Sequence, residues 1–179
     1  MLKRLPIAYA SILIVELVGL SVLYALRMPA SSSAIGTALG WGALLSMIVM
    51  LVYSIARRSR ALRNVARLSY WLHFHIFLGF QGFLFAVFHS MPLFAKDHLA
   101  LLNPGLLSFV AATVVFSSGV FGRWLFGRLP RGPDGEPIRT QRVFALWIIL
   151  HRPLAAGMYV LAFMHVALSY MFTPTLAGG

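Results

Sequence analysis

The chain has 179 residues, 60% of them hydrophobic, with 15 Lys and Arg against 4 Asp and Glu and a formal net charge of +11. Such a composition excludes an ordinary soluble domain and indicates a chain that lives in a bilayer. The charge does not mark a nucleic-acid binder, because the arginines lie between long apolar runs and not on a soluble basic face. Cysteine is absent, which excludes disulfides, thiolate-ligated haem, Cys-ligated iron–sulfur clusters and covalent haem through Cys-x-x-Cys-His.

Crossing a membrane takes about 20 apolar residues. Five segments meet that length, at residues 6–26, 35–55, 70–91, 106–126 and 144–172. The expected fold is all-α, a single domain over residues 1–179 built as an integral membrane bundle of five transmembrane helices. The first span resembles a secretory signal, with Lys3 and Arg4 ahead of an apolar run and small residues from Ala30 to Ala34 behind it. Its apolar stretch is long for a signal peptide, so it is read as a retained helix. Glu16, near its middle, is the only acid within a span, and an intramembrane carboxyl group is a candidate for proton transfer or quinol binding, or for a hydrogen bond to another helix or subunit. In the second span Gly36 and Gly40 read as close helix packing through small residues.

The third span carries His73, His75 and His89, with Gly79, Gln81 and Gly82 between them. His75 and His89 are fourteen residues apart. At about 100° per residue that interval returns to within about 40° of the starting face after a rise of roughly 21 Å. Gly82 lies midway, where a missing side chain would let a flat cofactor approach the backbone, and Gly79 lies one turn beyond His75. His73, sixteen residues from His89, points about 160° away and is read as interfacial or supporting. Gln81 joins Glu16 as a weaker candidate for a proton or quinone site. His98, beside Lys96 and Asp97, reads as a solvated loop residue, with a quinone or partner contact as the alternative.

After the fourth span, residues 127–142 are rich in Pro and Gly and form a turn-rich connection, either a solvated topogenic loop or a dock for a soluble electron partner. The fifth span repeats the histidine interval, with His151 and His165 again fourteen residues apart. Arg152 is read as the partner of a haem propionate, which suits the guanidinium fork, with snorkelling to the interface as the alternative. Pro153 is expected to kink this helix. Ala155, Ala156 and Gly157 form a small-residue patch, for a cofactor or for helix packing.

Twelve basic residues fall on one side of the five spans (Lys3 and Arg4; five arginines from Arg57 to Arg67; five from Arg123 to Arg142), against Arg27 and Lys96 on the other. The positive-inside rule then gives an N-in, C-out orientation. The third and fifth spans run in the same direction, so His75 and His151 share the inner level and His89 and His165 the outer. Two imidazoles at each level are the axial ligands of a b-type haem, and two levels make two b haems between the third and fifth helices. A single metal ion is a poor fit, because the levels lie too far apart.

The run Trp71-Leu-His-Phe-His75 through His89, with His151 through His165, resembles the ferric-reductase-like transmembrane domain, a family that includes ferric reductases, NADPH oxidases and the haem subunit of bacterial periplasmic methionine sulfoxide reductase. The likeness covers residues 70–172 and implies paired haem ligands on the third and fifth helices. The arrangement is also similar to cytochrome b of the quinol–cytochrome c complexes, although the Pro-Glu-Trp-Tyr signature of their quinol-oxidation site is missing. No flavin and nicotinamide domain follows the fifth span, so the chain is expected to be a subunit and not a self-contained reductase.

The expected function is a dihaem b-type cytochrome that relays electrons across a membrane, in a respiratory-type assembly with other subunits and with quinone or a redox protein as donor or acceptor. The expected location is the bacterial cytoplasmic (inner) membrane. Two rivals are a non-redox membrane scaffold and a proton or solute transporter that uses Glu16 and the intramembrane histidines.

Overall fold

A backbone in hydrocarbon must satisfy its own N–H and C=O groups, which leaves the α-helix as the natural form for long apolar segments. The computed structural model describes residues 5–95, 103–128 and 142–172, and among these it holds seven helices and no strand. They are α1 (Leu5–Leu26), α2 (Ala34–Met50), α3 (Val52–Ala56), α4 (Arg60–Val65), α5 (Leu68–Phe94), α6 (Pro104–Arg128) and α7 (Arg142–Phe172). Five helical stretches are long and apolar enough to span a membrane: Leu5–Leu26, Ala34–Ala56, Leu68–Phe94, Pro104–Arg128 and Ala145–Phe172. These match the five expected spans to within two or three residues at each end. Large apolar side chains face outward, with Leu26 82%, Val15 71% and Ile149 65% exposed. That is the reverse of a water-soluble surface and suits a lipid one.

The chain divides into two units, Met1–Leu99 and Ala100–Gly179. In the first, α5 is the axis. α1 packs alongside it in parallel, through a stacked Tyr9–Phe77 pair and an edge-on Tyr24–Phe88 pair with centroids 4.5 and 5.0 Å apart. α2 packs against it antiparallel. Tyr24, Leu39 and Phe88, one from each helix, form a buried cluster that Leu20, Leu23, Leu84 and Phe85 extend. Ser33 caps α2, accepting a hydrogen bond from Gly36 N–H at 3.1 Å.

The second expected span is interrupted. At Leu51 the ladder tightens, with Leu51 N–H donating to Ile48 O and Ser54 N–H to Leu51 O, each three residues back, and α2 gives way to α3. α4 follows as a short helix capped by Ser59 and tied to α5 by the Trp71 indole N–H, which donates to Leu62 O at 3.2 Å.

In the second unit α6 and α7 pair antiparallel. Asn103 caps α6, its side-chain oxygen accepting from Gly105 and Leu106 N–H. Ser108 Oγ lies 2.8 Å from both Pro104 O on its own helix and Leu161 O on α7. Pro153 sits inside α7, where it has no N–H for the carbonyl four residues back, and the helix is assigned unbroken through it.

Candidate functional site

The four spaced histidines fall on α5 and α7, and each is half-buried. On α5, His75 Nδ1 lies 3.1 Å from Met50 O and His89 Nδ1 lies 2.8 Å from Gly36 O. Both acceptors are main-chain carbonyls on α2, and they too are fourteen residues apart. The antiparallel pair thus holds one register over the whole interval, and the shared face expected of His75, Gly82 and His89 is the face that meets α2. A carbonyl only accepts, so in a neutral imidazole the proton sits on Nδ1 and the lone pair on Nε2.

The interruption at Leu51 has a role in this geometry. It occurs where Met50 O accepts from His75, so the turn of tighter helix coincides with the point at which a side chain from α5 enters the α2 ladder. At the other level the room comes from Gly40, where an added Cβ would stand 2.9 Å from His89 Cε1. Ser31 Oγ adds a tie by donating to His89 O at 2.7 Å. Gly36 is held tightly as well, since a Cβ there would run into the backbone of Ala30 and Ser31. The two α2 glycines do more than shorten a helix contact: one provides the carbonyl and the other the space for the same imidazole.

Gly82 is buried against Ser46, Ala43 and Met47, with an added Cβ 3.2 Å from Ser46 Cβ. Its missing side chain lets α2 approach α5 closely at this point. Gly79, four residues after His75, is the glycine of this stretch with open space where its Cβ would be, and on α7 Gly157 is open in the same way. His73 turns to its own helix, with Nδ1 2.7 Å from Ser69 O.

In the second unit His151 Nδ1 lies 3.1 Å from Ser118 Oγ, and the Trp147 ring stacks on the imidazole with centroids 5.1 Å apart. Trp147 in turn donates its indole N–H to Ser118 O at 2.8 Å, and Gly122 leaves the space that this indole fills. His165 lies over Gly105, where an added Cβ would stand 3.2 Å from its Cε1. Gly119, beneath His151, is again fourteen residues from Gly105. Ser118, Trp147 and the α6 glycines were not singled out from sequence. The available signal was a Ser117-Ser118-Gly119 run inside an apolar span, polar residues that a membrane helix keeps for contact with a neighbour.

Glu16 and Gln81, separate candidates in the sequence, form one pair: Gln81 Nε2 donates to Glu16 Oε1 at 2.7 Å, and Glu16 Oε2 is buried with no hydrogen-bond partner. Arg152 is exposed on α7. His98, Lys96 and most of the 127–142 loop lie outside the described residues. Among the described residues no group of three His, Cys, Asp or Glu side chains could hold a metal ion. Comparison with family models, with curated proteins and with solved structures gives no match.

Proposed function

We propose that the chain is a dihaem b-type cytochrome subunit that relays electrons across a membrane within a larger redox assembly. The observation that carries this reading is the placement of His75 and His89, each with Nδ1 within hydrogen-bond distance of a main-chain carbonyl, which in a neutral imidazole puts the lone pair on Nε2. A metal-ligating imidazole is normally held in this manner, its second nitrogen donating to a carbonyl, carboxylate or water so that tautomer and ring angle are set. The donor set fits a b haem, since imidazoles are its usual axial ligands and no thiol competes. On α7 the Ser118 hydroxyl, 3.1 Å from His151 Nδ1, can accept from that nitrogen in the same manner.

In this reading His75 pairs with His151 at the inner level and His89 with His165 at the outer, in an N-in, C-out chain of the bacterial cytoplasmic membrane. A bound b haem supplies one-electron chemistry at each level. The protein's residues hold the imidazoles at fixed angles, keep water away through apolar helix faces, and offer Arg152 to a propionate. Quinone, quinol or a redox protein is the donor or acceptor. The resemblance to the ferric-reductase-like domain supports the same scaffold. A proton- or solute-transport reading draws on one observation, the Gln81–Glu16 bond inside the apolar helices, and it expects flux without a haem spectrum.

The test is haem b per polypeptide in detergent-purified protein, with a reduced-minus-oxidised spectrum. Two low-spin b haems per chain support the proposal; none overturns it. His75→Ala or His151→Ala is expected to remove the inner haem alone, and His89→Ala or His165→Ala the outer alone. Full haem content in all four variants overturns the ligand assignment.

A further inference from the structure

Five arginines, Arg57, Arg58, Arg60, Arg63 and Arg67, fall within eleven residues around α4, and all five are exposed. The only carboxylate side chain among the described residues is Glu16, which is engaged with Gln81 on α1 and α5. None of the five arginines therefore has an acidic partner among the described residues. The segment is nonetheless firmly placed, by the Ser59 cap and by the Trp71 bond to Leu62 O. It joins the end of α2 to the start of α5, at the His75 end of that pair.

Two open hollows flank α4. One, of about 550 Å³, is lined by Arg63, Asn64, Val65, Ala66, Arg67 and Tyr70. The other, of about 500 Å³, is lined by Ser54, Ile55, Arg58 and Ser59. The first is lined by two arginines, a tyrosine and an asparagine, residue types whose donors suit the non-bridging oxygens of a phosphodiester. In the same lining stands an aliphatic side chain open to the surroundings, Val65, 77% exposed. An acidic protein or a free anion would satisfy the arginines and leave Val65 in water. A molecule with a phosphodiester joined to acyl chains satisfies both.

We propose that the hollow at Arg63, Asn64, Arg67 and Tyr70 is a binding site for the headgroup of an anionic phospholipid. Basic clusters directly beyond a membrane helix attract acidic lipids through the surface potential, and a hollow lined by two of the arginines gives that general attraction a place to act. This inference does not depend on haem.

The experiment uses the full-length protein in mixed nanodiscs of phosphatidylglycerol and phosphatidylcholine, with lipids retained after delipidation counted by native mass spectrometry. Wild-type protein is expected to retain phosphatidylglycerol over phosphatidylcholine, and Arg63→Gln/Arg67→Gln to retain it about tenfold less. Arg123→Gln/Arg128→Gln, which removes the same formal charge, is the control expected to retain it as wild type does. Equal loss in the control reduces the effect to net charge and overturns the site. Competition by inorganic phosphate at the same concentration also overturns it, in favour of a free-anion site. Loss of haem in Arg63→Gln/Arg67→Gln with phosphatidylglycerol retained assigns the arginines to a propionate and overturns the lipid reading. A protein that holds no haem but shows the selective retention leaves this proposal standing and defeats only the cytochrome one.

Discussion

The α2–α5 pair and the α6–α7 pair solve one problem by different means. Each is an antiparallel helix pair with two histidines at the same interval, and each places small residues of one helix under imidazoles of the other. In the first, both imidazoles are held by main-chain carbonyls, Met50 O and Gly36 O. In the second, His151 is held by a side chain, Ser118, beneath a stacked Trp147. A carbonyl has no side chain to mutate and so gives a robust orientation, whereas a serine hydroxyl can donate or accept and can be exchanged. The first pair is accordingly the more rigid holder, and the second the one whose imidazole chemistry selection can adjust.

The largest expected effect breaks the second pair alone. Gly122→Ala puts a methyl group where the Trp147 ring now sits, and is expected to cost about 1–3 kcal/mol by overpacking and to detach Trp147 from Ser118. Thermal unfolding in detergent measures the cost, and an unchanged midpoint would show that the indole has an easy alternative position. Next come two like substitutions, one in each pair. Gly40→Ala places Cβ 2.9 Å from the His89 ring and Gly105→Ala places it 3.2 Å from the His165 ring. Both act on the later histidine of their helix, and the first is expected to be the more disruptive by about 1 kcal/mol, since the cost rises steeply as the gap closes; equal midpoints contradict the ranking. Gln81→Leu removes the polar tie between α1 and α5 and is expected to cost about 0.6 kcal/mol, the usual scale for such bonds between membrane helices. The smallest stability change is expected from Ser118→Ala. If the haem assignment holds, this variant weakens His151 as a donor and raises the midpoint potential of one haem while the other stays put, with Ser118→Thr restoring it. A redox titration with both potentials unmoved would remove Ser118 from the tuning role.

How legible this was in the sequence follows from the same contrast. The spans could be read because twenty apolar residues in a row have few other uses, and the α5 face could be read because its angular arithmetic depends only on helix geometry. The break at Leu51 could not, since Leu51 is an ordinary apolar residue and the atom that marks the break belongs to His75, far along the chain. The carbonyls of Met50 and Gly36 could not, because a main-chain acceptor has no letter. Gly40 could be read as a helix contact but not as the floor under a particular imidazole. Glu16 and Gln81 each stood out as polar residues in apolar helices, but their meeting required the parallel packing of α1 on α5.

Fourteen residues are two heptads. An α-helix drifts by about 20° per heptad from a 3.5-residue repeat, so over fourteen residues a straight helix turns its contact face by about 40°. A slight left-handed wrap of two helices offsets such a drift and favours contacts at both His75 and His89. The separation of the levels is then quantised. Seven residues added to both helices of a pair would move one level by two turns and keep its face, while a single added residue would swing one histidine by about 100° out of the seam. Steps of seven or eleven residues, each returning to within about 20° of the starting face, would change the distance between the levels and keep the seam.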